Sequence, residues 1–330
     1  MSNKKGLTAK ESIEYQKRVN LIRNKYQYDQ TAFQKAILKI KNDIINERDD
    51  SFTDTKEIEE RKVIEIIKNL PDISQTNLVP FPNILAKTSV FAPRKKNLPV
   101  EEKHTQGRWI QLNTPPHYDL FYNGPLLTME EQDLYMLLVK KAGGSDGDDY
   151  IKISRYQLLK ELGYEYCSQH QYKWLYQAMN RLIQSNIKIV LKNDIIKHIM
   201  ENTDNKINEI TLHLLEEFAF DGEVYSFRIN KNSLFLYSNK AFAWNNLDVK
   251  KIVQNTKKAG ITAWIYSFIL SESKGTHSYK IETIYDYLGS NKKIADFRKD
   301  IENSFNIMLE MNIISNFNIK ENKFIQWERI

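Results

Sequence analysis

The six histidines are the side chains of this sequence best suited to bind a metal ion. They are His104, His117, His170, His198, His213 and His277. No two of them form a His-x-His or His-x-x-x-His pair, the spacings that bring two imidazoles to one metal. A nicking enzyme that holds a metal beside a tyrosine nucleophile needs such a pair. We therefore expect no metal site, and we interpret the 18 tyrosines as half-buried aromatic residues rather than nucleophiles.

A glycine cluster and a single cysteine are the remaining features that could support chemistry. The cluster Gly143–Gly147 lacks the following lysine and helix start that a phosphate-binding loop requires, which argues against ATP hydrolysis. Cys167 is the only cysteine, so an internal disulfide and a cysteine-based zinc site are excluded. A protein with so few thiols fits a reducing compartment. The sequence predicts a protein that is not an enzyme and has no cofactor.

The distribution of charge points to a polyanionic partner for one end of the chain. The whole chain has 48 Lys and Arg against 42 Asp and Glu, a net charge of +6. Residues 225–330 contain 16 Lys and Arg against 10 Asp and Glu, so this last third carries the whole excess. Such a basic segment favours nucleic-acid binding. No apolar run approaches the roughly 20 residues of a membrane span, so we expect a soluble, cytoplasmic protein with no membrane contact.

The length of 330 residues predicts two domains and an accessory segment. Apolar residues recur at helical spacing within residues 12–47 and again within residues 55–70, which predicts a helical extension. Prolines within residues 71–83 then mark a linker. We therefore divide the chain into an N-terminal helical extension and linker (residues 1–80), a first domain (residues 81–224) and a second domain (residues 225–330).

One order of elements is predicted twice in the two domains. In the first, a helix starts after Thr128 and is followed by a strand at Ile151–Ile153, helices over residues 154–162 and 170–185, and a strand at Ile187–Leu191. The last strand is expected to begin a β-hairpin. Strand, helix, turn, helix and hairpin is the order of a winged helix-turn-helix.

The second domain repeats this order in the last hundred residues. Helices are predicted over residues 259–271, 280–288 and 293–311, and a hairpin over residues 313–327. The segments Leu158–Gly163 and Ile284–Gly289 align without a gap, which indicates an internal duplication. The predicted fold class is therefore α+β and mostly helical, with two tandem winged-helix domains and an N-terminal helical extension.

The third helix of each predicted winged helix is the candidate to enter a DNA major groove by its N-terminal half. In the second domain its apolar residues Ile294, Phe297, Ile301, Phe305 and Met308 are expected to face inward. The expected DNA-binding residues on the outer face are Lys292, Lys293, Arg298, Lys299 and Asn303. Arg298 suits a bidentate pair with guanine and Asn303 a pair with adenine, whereas the three lysines suit phosphate contacts. A solvated, charged helix face is the alternative interpretation.

The corresponding helix of the first domain offers a weaker surface. Its expected inward residues are Tyr172, Leu175, Met179 and Leu182, and its expected DNA-binding residues are Gln169, Lys173, Gln177 and Arg181. Trp174 and Asn180 are also expected to face outward. Residues 121–224 contain 11 Lys and Arg against 16 Asp and Glu. We therefore expect this domain to contribute less to affinity and to be a candidate for dimerisation.

Several motifs resemble the TrfA-like family of plasmid replication initiators. They are Pro82–Phe91 with the basic run 94–96, Tyr122–Gly124 with Asp133–Tyr135, Phe227–Asn230, Ala263–Phe268, Tyr279–Thr283, Leu288–Ser290 and Phe297-Arg298. The resemblance covers roughly residues 80–325 and does not extend to residues 1–80. It implies a tandem winged-helix protein in which Arg298 lies in the second recognition helix.

The resemblance also implies a function and partners. Family members bind direct repeats called iterons in double-stranded DNA, open an adjacent A+T-rich segment, and work with a host helicase, clamp and initiator. They are controlled by an equilibrium between monomer and homodimer. A two-domain winged-helix transcriptional repressor is the main competing interpretation, because it would share the DNA-binding surface. A nicking enzyme and a scaffold protein that does not bind DNA are two further hypotheses, and the histidine spacing argues against the first of them.

Overall fold

The computed structural model describes the part of the chain that follows the predicted extension, within one compact unit spanning Val63–Ile330. The described residues are 78–93, 105–143, 150–192, 209–230, 233, 236–237, 241–254, 259–321 and 323–330. The predicted helices within residues 12–47 and 55–70 lie outside them, as does most of the predicted linker.

The first half of the described chain begins with a short segment of strand and helix and continues into a mixed α/β region. Its helices are α1 (Asn83–Ala86), α2 (Met129–Ala142), α3 (Arg155–Glu161) and α4 (Gln169–Ile183). Its strands are β1 (Leu78–Pro82), β2 (Ile110–Leu112), β3 (Tyr118–Asn123), β4 (Ile151–Ser154), β5 (Asn186–Leu191), β6 (Glu209–His213), β7 (Glu217–Phe220) and β8 (Val224–Arg228).

The second half contains the C-terminal copy of the predicted order. Its helices are α5 (Leu247–Gln254), α6 (Ala259–Leu270), α7 (Ile281–Leu288) and α8 (Ile294–Glu310). Its strands are β9 (Phe242–Asn246), β10 (Gly275–Lys280), β11 (Ile314–Lys320) and β12 (Phe324–Arg329). The predicted helices and the C-terminal hairpin are confirmed to within one or two residues.

The α+β class is confirmed, but the expectation of a mostly helical protein is wrong. Among the described residues, twelve strands form four antiparallel sheets beside eight helices. Strands such as β2, β9 and β10 were not predicted because they are short or because apolar and polar residues do not strictly alternate in their sequences. The four-stranded sheet β2-β3-β5-β6 in particular has no counterpart in the predicted order.

The duplication predicted from sequence is visible in two three-stranded sheets. One has the strand order β4-β8-β7 and the other β10-β12-β11. We call α2, β4, α3, α4, β7 and β8 the first repeat, and α6, β10, α7, α8, β11 and β12 the second repeat. In each repeat the strand that precedes the helix pair forms hydrogen bonds with the second strand of the following hairpin.

The hairpin of the first repeat is not the one predicted. The strand at Ile187–Leu191 exists, but it pairs with β3 and β6 in the four-stranded sheet rather than with β4. The partner of β4 is β8, whose own hairpin partner is β7. The predicted boundary at residue 224 falls on the first residue of β8. That strand therefore lies in the sheet of the first repeat, while the division into domains stays a prediction.

The turn between the two helices of each repeat contains a glycine in the left-handed region. Gly163 has φ +92° and Gly289 has φ +64°. A side chain at either position would be strained whatever the space around it. The same turn in both copies explains why the segments ending at these glycines align without a gap.

The segment of residues 78–91, which contains β1 and α1, joins the two repeats. β1 pairs with β9 along its whole length, and Phe91 stacks on Tyr135 of α2 with ring centroids 6.0 Å apart. The indole Nε1 of Trp264 in α6 donates to the backbone oxygen of Thr88 at 3.0 Å. Buried residues of both repeats belong to one continuous apolar core. The two repeats therefore share one apolar core and are not separate units joined only by a linker.

Among the described residues, no helix combines the length and the apolar composition that crossing a membrane would need.

Candidate nucleic-acid interface

Helix α8 presents one polar face to solvent and one apolar face to the core. Phe297, Ile301, Phe305 and Met308 are buried as predicted, and Ile294 is half-buried against the core. The exposed face follows the helical spacing through Ala295, Asp296, Lys299, Glu302, Asn303 and Asn306. Lys299 and Asn303 lie four residues apart on this face, so their side chains are neighbours.

Lys292 and Lys293 precede α8, and the structure distinguishes them. The Nζ of Lys292 lies 2.5 Å from Oδ2 of Asp300, a carboxylate that is buried within α8. Lys293 is exposed at the N-cap position. Lys292 therefore serves first to neutralise a buried charge, and of the two lysines Lys293 is better placed to contact phosphate.

Arg298 does not point freely outward, which corrects the expectation from helical spacing. Its Nη2 lies 3.1 Å from Oε1 of Glu282 in α7, and its side chain is about one-third exposed. Its Nε is buried and makes no hydrogen bond to the described protein atoms. Arg298 thus bridges the helix pair in this structure, and a contact to a base would require its release from Glu282.

The C-terminal hairpin adds two lysines that were not among the predicted site residues. Lys320 ends β11 and Lys323 precedes β12, and both are exposed at the hairpin turn. After a register shift between Ile314 and Asn316, the two strands pair continuously up to Lys320↔Phe324. The signal was present in the sequence, since both lysines flank the turn of a clearly predicted hairpin.

Helix α4 of the first repeat exposes three of its four predicted residues. Gln169, Lys173 and Gln177 recur every four residues on one exposed stripe. Arg181 does not belong to this stripe, and its predicted outward orientation is wrong. Its guanidinium bonds to Glu131 of α2, whose side chain is 2% exposed, with an Nε–Oε1 distance of 3.0 Å.

Two more residues of α4 turn away from the expected outer face. Trp174 is half-buried and its ring lies against Tyr164, with centroids 5.7 Å apart. The side-chain amide of Asn180 donates to the backbone oxygen of Tyr176 at 2.8 Å. Tyr172, predicted to face inward, is half-buried with the Arg155 guanidinium 4.3 Å from its ring centroid. The remaining predicted inward residues of α4 are fully buried.

The hairpin β7–β8 of the first repeat ends in acidic rather than basic residues. Its turn is Asp221-Gly222-Glu223, and Glu223 forms an ion pair with Arg155 at 2.7 Å. Backbone N–H groups of Val224 and Glu223 donate to the Asp221 carboxylate and hold its pKa below the ordinary value. Behind the turn, Phe218 and Phe220 pack against the half-exposed ring of Tyr176. This hairpin is poorly suited to phosphate contact, in contrast with the C-terminal one.

No cluster of three or more His, Cys, Asp or Glu side chains that could hold a metal was found among the residues described.

Comparison with known proteins found similarity only among solved structures. No family model matches the chain, and no curated protein sequence matches it. The crystal structure of selenomethionine derivatives of domains 2 and 3 of RctB is similar with a TM-score of 0.45 and 9% identity, covering 72% of this chain and 94% of that one. A second structure of RctB domains 2–3 has a TM-score of 0.41 and 9% identity, covering 75% and 97%. Similarity at this level does not identify a family, and the resemblance to the TrfA-like initiators stays an expectation.

Three of the predicted residues of the second repeat are exposed along α8. Lys293 is the N-cap of α8, Lys299 and Asn303 lie within its first ten residues, and the hairpin lysines belong to the sheet on which this helix packs. Arg298 and Lys292 are neighbours of these residues in the sequence, but each forms an ion pair with a carboxylate. We call the set Lys293, Lys299, Asn303, Lys320 and Lys323 the α8 surface, and the set Gln169, Lys173 and Gln177 the α4 surface.

Proposed function

We propose that this protein is a non-enzymatic double-stranded DNA-binding protein whose repeats are two winged-helix domains, and that it initiates replication by binding repeated sites in a plasmid origin. The α8 surface is the observation that carries the proposal. A helix that exposes Lys299 and Asn303 within its first ten residues, and that packs on a hairpin with lysines at its turn, matches the way a recognition helix and a wing bind DNA.

The chemistry of the α8 surface divides between positioning and recognition. Lysines of the N-terminus and hairpin turn, such as Lys293 and Lys320, suit phosphate oxygens and fix the register of the protein on the duplex. Asn303 suits a bidentate pair with N6 and N7 of adenine in the major groove. The exposed carboxylates of Asp296 and Glu302 can accept from the N4 amino group of cytosine and would repel phosphates. The mixed charge of this face therefore favours insertion into the groove over a flat contact with the backbone.

The α4 surface supplies the second and weaker contact of the proposal. Its glutamines can pair with adenine, and Lys173 is its basic residue, while the acidic turn of β7–β8 limits phosphate contact. Two recognition helices in one compact unit would occupy major grooves about one helical turn apart, which gives a footprint of about 20 base pairs.

Replication initiation, rather than transcriptional control, is proposed from the sequence motifs that resemble the TrfA-like initiators. On this proposal the bound sites are direct repeats, an A+T-rich segment nearby opens, and a host helicase, clamp and initiator are recruited. A homodimer in equilibrium with the monomer would regulate binding. The absence of a phosphate-binding loop and of paired histidines in the sequence supports a protein that performs no hydrolysis itself.

A footprint on the DNA that flanks the protein's own gene tests the proposal. The purified chain and a Lys299→Ala variant would be compared at two salt concentrations. Several tandem protected segments of about 20 base pairs each, weakened by salt and by the substitution, are expected. A single inverted repeat over a promoter would instead indicate a repressor. No protection at any salt concentration would contradict DNA recognition altogether.

A further inference from the structure

Lys250 in α5 is a charged side chain buried between the two halves of the protein. Its side chain is 1% exposed, and its Nζ lies 2.6 Å from Oδ1 of Asp133. The same Nζ also donates to Oε1 of Gln132. Both partners lie in α2, more than a hundred residues earlier in the chain. Burial lowers the pKa of Lys250, while the Asp133 carboxylate opposes that shift.

The ion pair of Lys250 joins the first repeat to α5, the helix that lies before the second repeat in the chain. Asp133 belongs to α2, the first helix of the first repeat, whereas α5 precedes α6, the first helix of the second repeat, in chain order. A buried ion pair is a weak source of stability, because desolvation of both groups offsets their attraction. Its geometry is nevertheless demanding, since either charge left alone in the core is strongly unfavourable. In some proteins such a contact restricts the relative placement of two elements, and α5 and α2 are the candidates for such a restriction here.

A continuous series of packed helices connects this ion pair to both candidate DNA surfaces. α4 packs on α2, and α2 receives Lys250 from α5. α5 packs on α6, and α6 packs along α8. α2 also contacts α6 and β1 directly, so the Lys250 ion pair is one of several contacts that place the α8 surface relative to the α4 surface.

We propose that Lys250 is a positioning residue that contributes to setting the number of base pairs between the two DNA contacts. This inference rests on the proposed function, because it concerns the spacing of contacts that the two recognition helices make. B-form DNA turns once in about 10 to 10.5 base pairs, so each inserted base pair rotates one contact by about 35° relative to the other. If the contact between α5 and α2 is rigid, the two recognition helices cannot follow this rotation of the DNA. If that contact is loosened, they can.

The neighbouring Lys251 provides a matched control for Lys250. Its side chain is 36% exposed, with Asp248 of the same helix 3.5 Å away, so its charge lies at the surface. Lys251→Met and Lys250→Met remove the same charge from adjacent positions of α5. A second variant, Lys250→Met with Asp133→Leu, replaces the pair by apolar side chains, so that the Asp133 carboxylate, which is 14% exposed, is not left without its lysine. This double variant is used for the measurement if Lys250→Met alone does not fold.

The test is the affinity of the full-length variants for duplexes in which zero, one or two base pairs are inserted between the two halves of the protected site. Wild type and Lys251→Met are expected to lose at least tenfold in affinity on insertion of two base pairs. The folded Lys250 variant is expected to lose less than threefold on the same insertion and to bind the isolated α8 half-site as wild type does. The inference would be overturned if inserting two base pairs lowered the affinity of wild type and of the Lys250 variant equally, or if it did not lower the affinity of wild type. Failure of wild type to bind any duplex would instead contradict the proposed function.

Discussion

The guanidinium of Arg298 in α8 pairs with the carboxylate of Glu282 in α7, with Nη2 and Oε1 3.1 Å apart. The residue best suited by type to recognise guanine is thus held by the preceding helix in the free protein. Both side chains are partly exposed, so the pair is a surface contact whose strength is of the order of 0.2–1 kcal/mol. Binding to DNA can release Arg298 at a small cost, and Glu282 then acts as a competitor of the base.

Removal of this competitor is expected to strengthen DNA binding. Glu282→Gln keeps the shape of the side chain but frees Arg298, and the affinity for the cognate duplex should rise by about two- to fivefold, the equivalent of one surface pair. Asp286→Asn, which removes another exposed carboxylate of α7, is the control and should change affinity less. Equal effects of the two substitutions in a titration at constant salt would show that only net charge matters.

The two lysines that precede α8 are expected to have separate roles. Lys292→Met leaves the buried Asp300 carboxylate without this partner and should lower the free energy of unfolding by about 1–3 kcal/mol. Lys293→Met should change stability by less than about 0.5 kcal/mol but weaken DNA binding. Urea denaturation and duplex titration of both variants check this. A Lys292→Met protein as stable as wild type would mean that Asp300 does not depend on that lysine.

Arg181 is expected to be a structural residue of the first repeat. Arg181→Met leaves the Glu131 carboxylate, which is 2% exposed, without its ionic partner and should cost about 3–5 kcal/mol in the free energy of unfolding. Lys173→Met, on the exposed stripe of the same helix, should leave stability unchanged and weaken binding to the α4 half of the site. Denaturation and binding experiments check both variants. If Lys173→Met lowered stability while Arg181→Met left stability unchanged and weakened DNA binding, Arg181 and not Lys173 would lie at the DNA.

The hairpin lysines are expected to determine part of the salt dependence of DNA binding. Each phosphate contact contributes about one to the slope of log affinity against log salt, so Lys320→Ala with Lys323→Ala should reduce that slope by about two for any sequence. Lys274→Ala is a control at the opposite end of the same sheet, beside Gly275, which pairs with Arg329. An unchanged slope in the double variant would exclude the hairpin from the interface.

The helices and their buried faces could be predicted because helical spacing is a local property. Trp264 and Phe268 of α6, and Phe297 and Phe305 of α8, are buried as expected. Their apolar residues recur every three or four positions, and this pattern alone determines which side of the helix meets the core. The capping box at Thr128 likewise fixes the start of α2 from residues within one turn.

The hairpin of the first repeat could not be assigned from the predicted strands because strand pairing is a long-range property. Ile187–Leu191 has the composition of a strand, but nothing local says whether it pairs with β4 or with β3. A usable signal lay further along the chain, since Asp221-Gly222 between β7 and β8 is a favoured turn sequence. Short strands on either side of such a turn are a better guide to the hairpin than a single apolar run.

The site residues were only partly predictable because long charged side chains reach beyond their own helix. Arg181, Arg298 and Lys250 each pair with a carboxylate on a neighbouring helix. Helical spacing assigns a direction to the Cα–Cβ bond but not to the end of an arginine or lysine. Lys299, Asn303 and Lys173 are exposed as expected.

Selection of bound duplexes from a randomised pool tests most directly the central claim that the exposed faces of α8 and α4 bind DNA. Wild type would be compared with Asn303→Ala in α8, Gln177→Ala in α4 and Lys320→Ala in the hairpin. The account predicts one enriched site, in which Asn303→Ala relaxes base preference in one half, Gln177→Ala relaxes it in the other half, and Lys320→Ala weakens binding without changing preference. A pool with no enriched sequence, or an enriched site that neither helix substitution alters, would contradict the account.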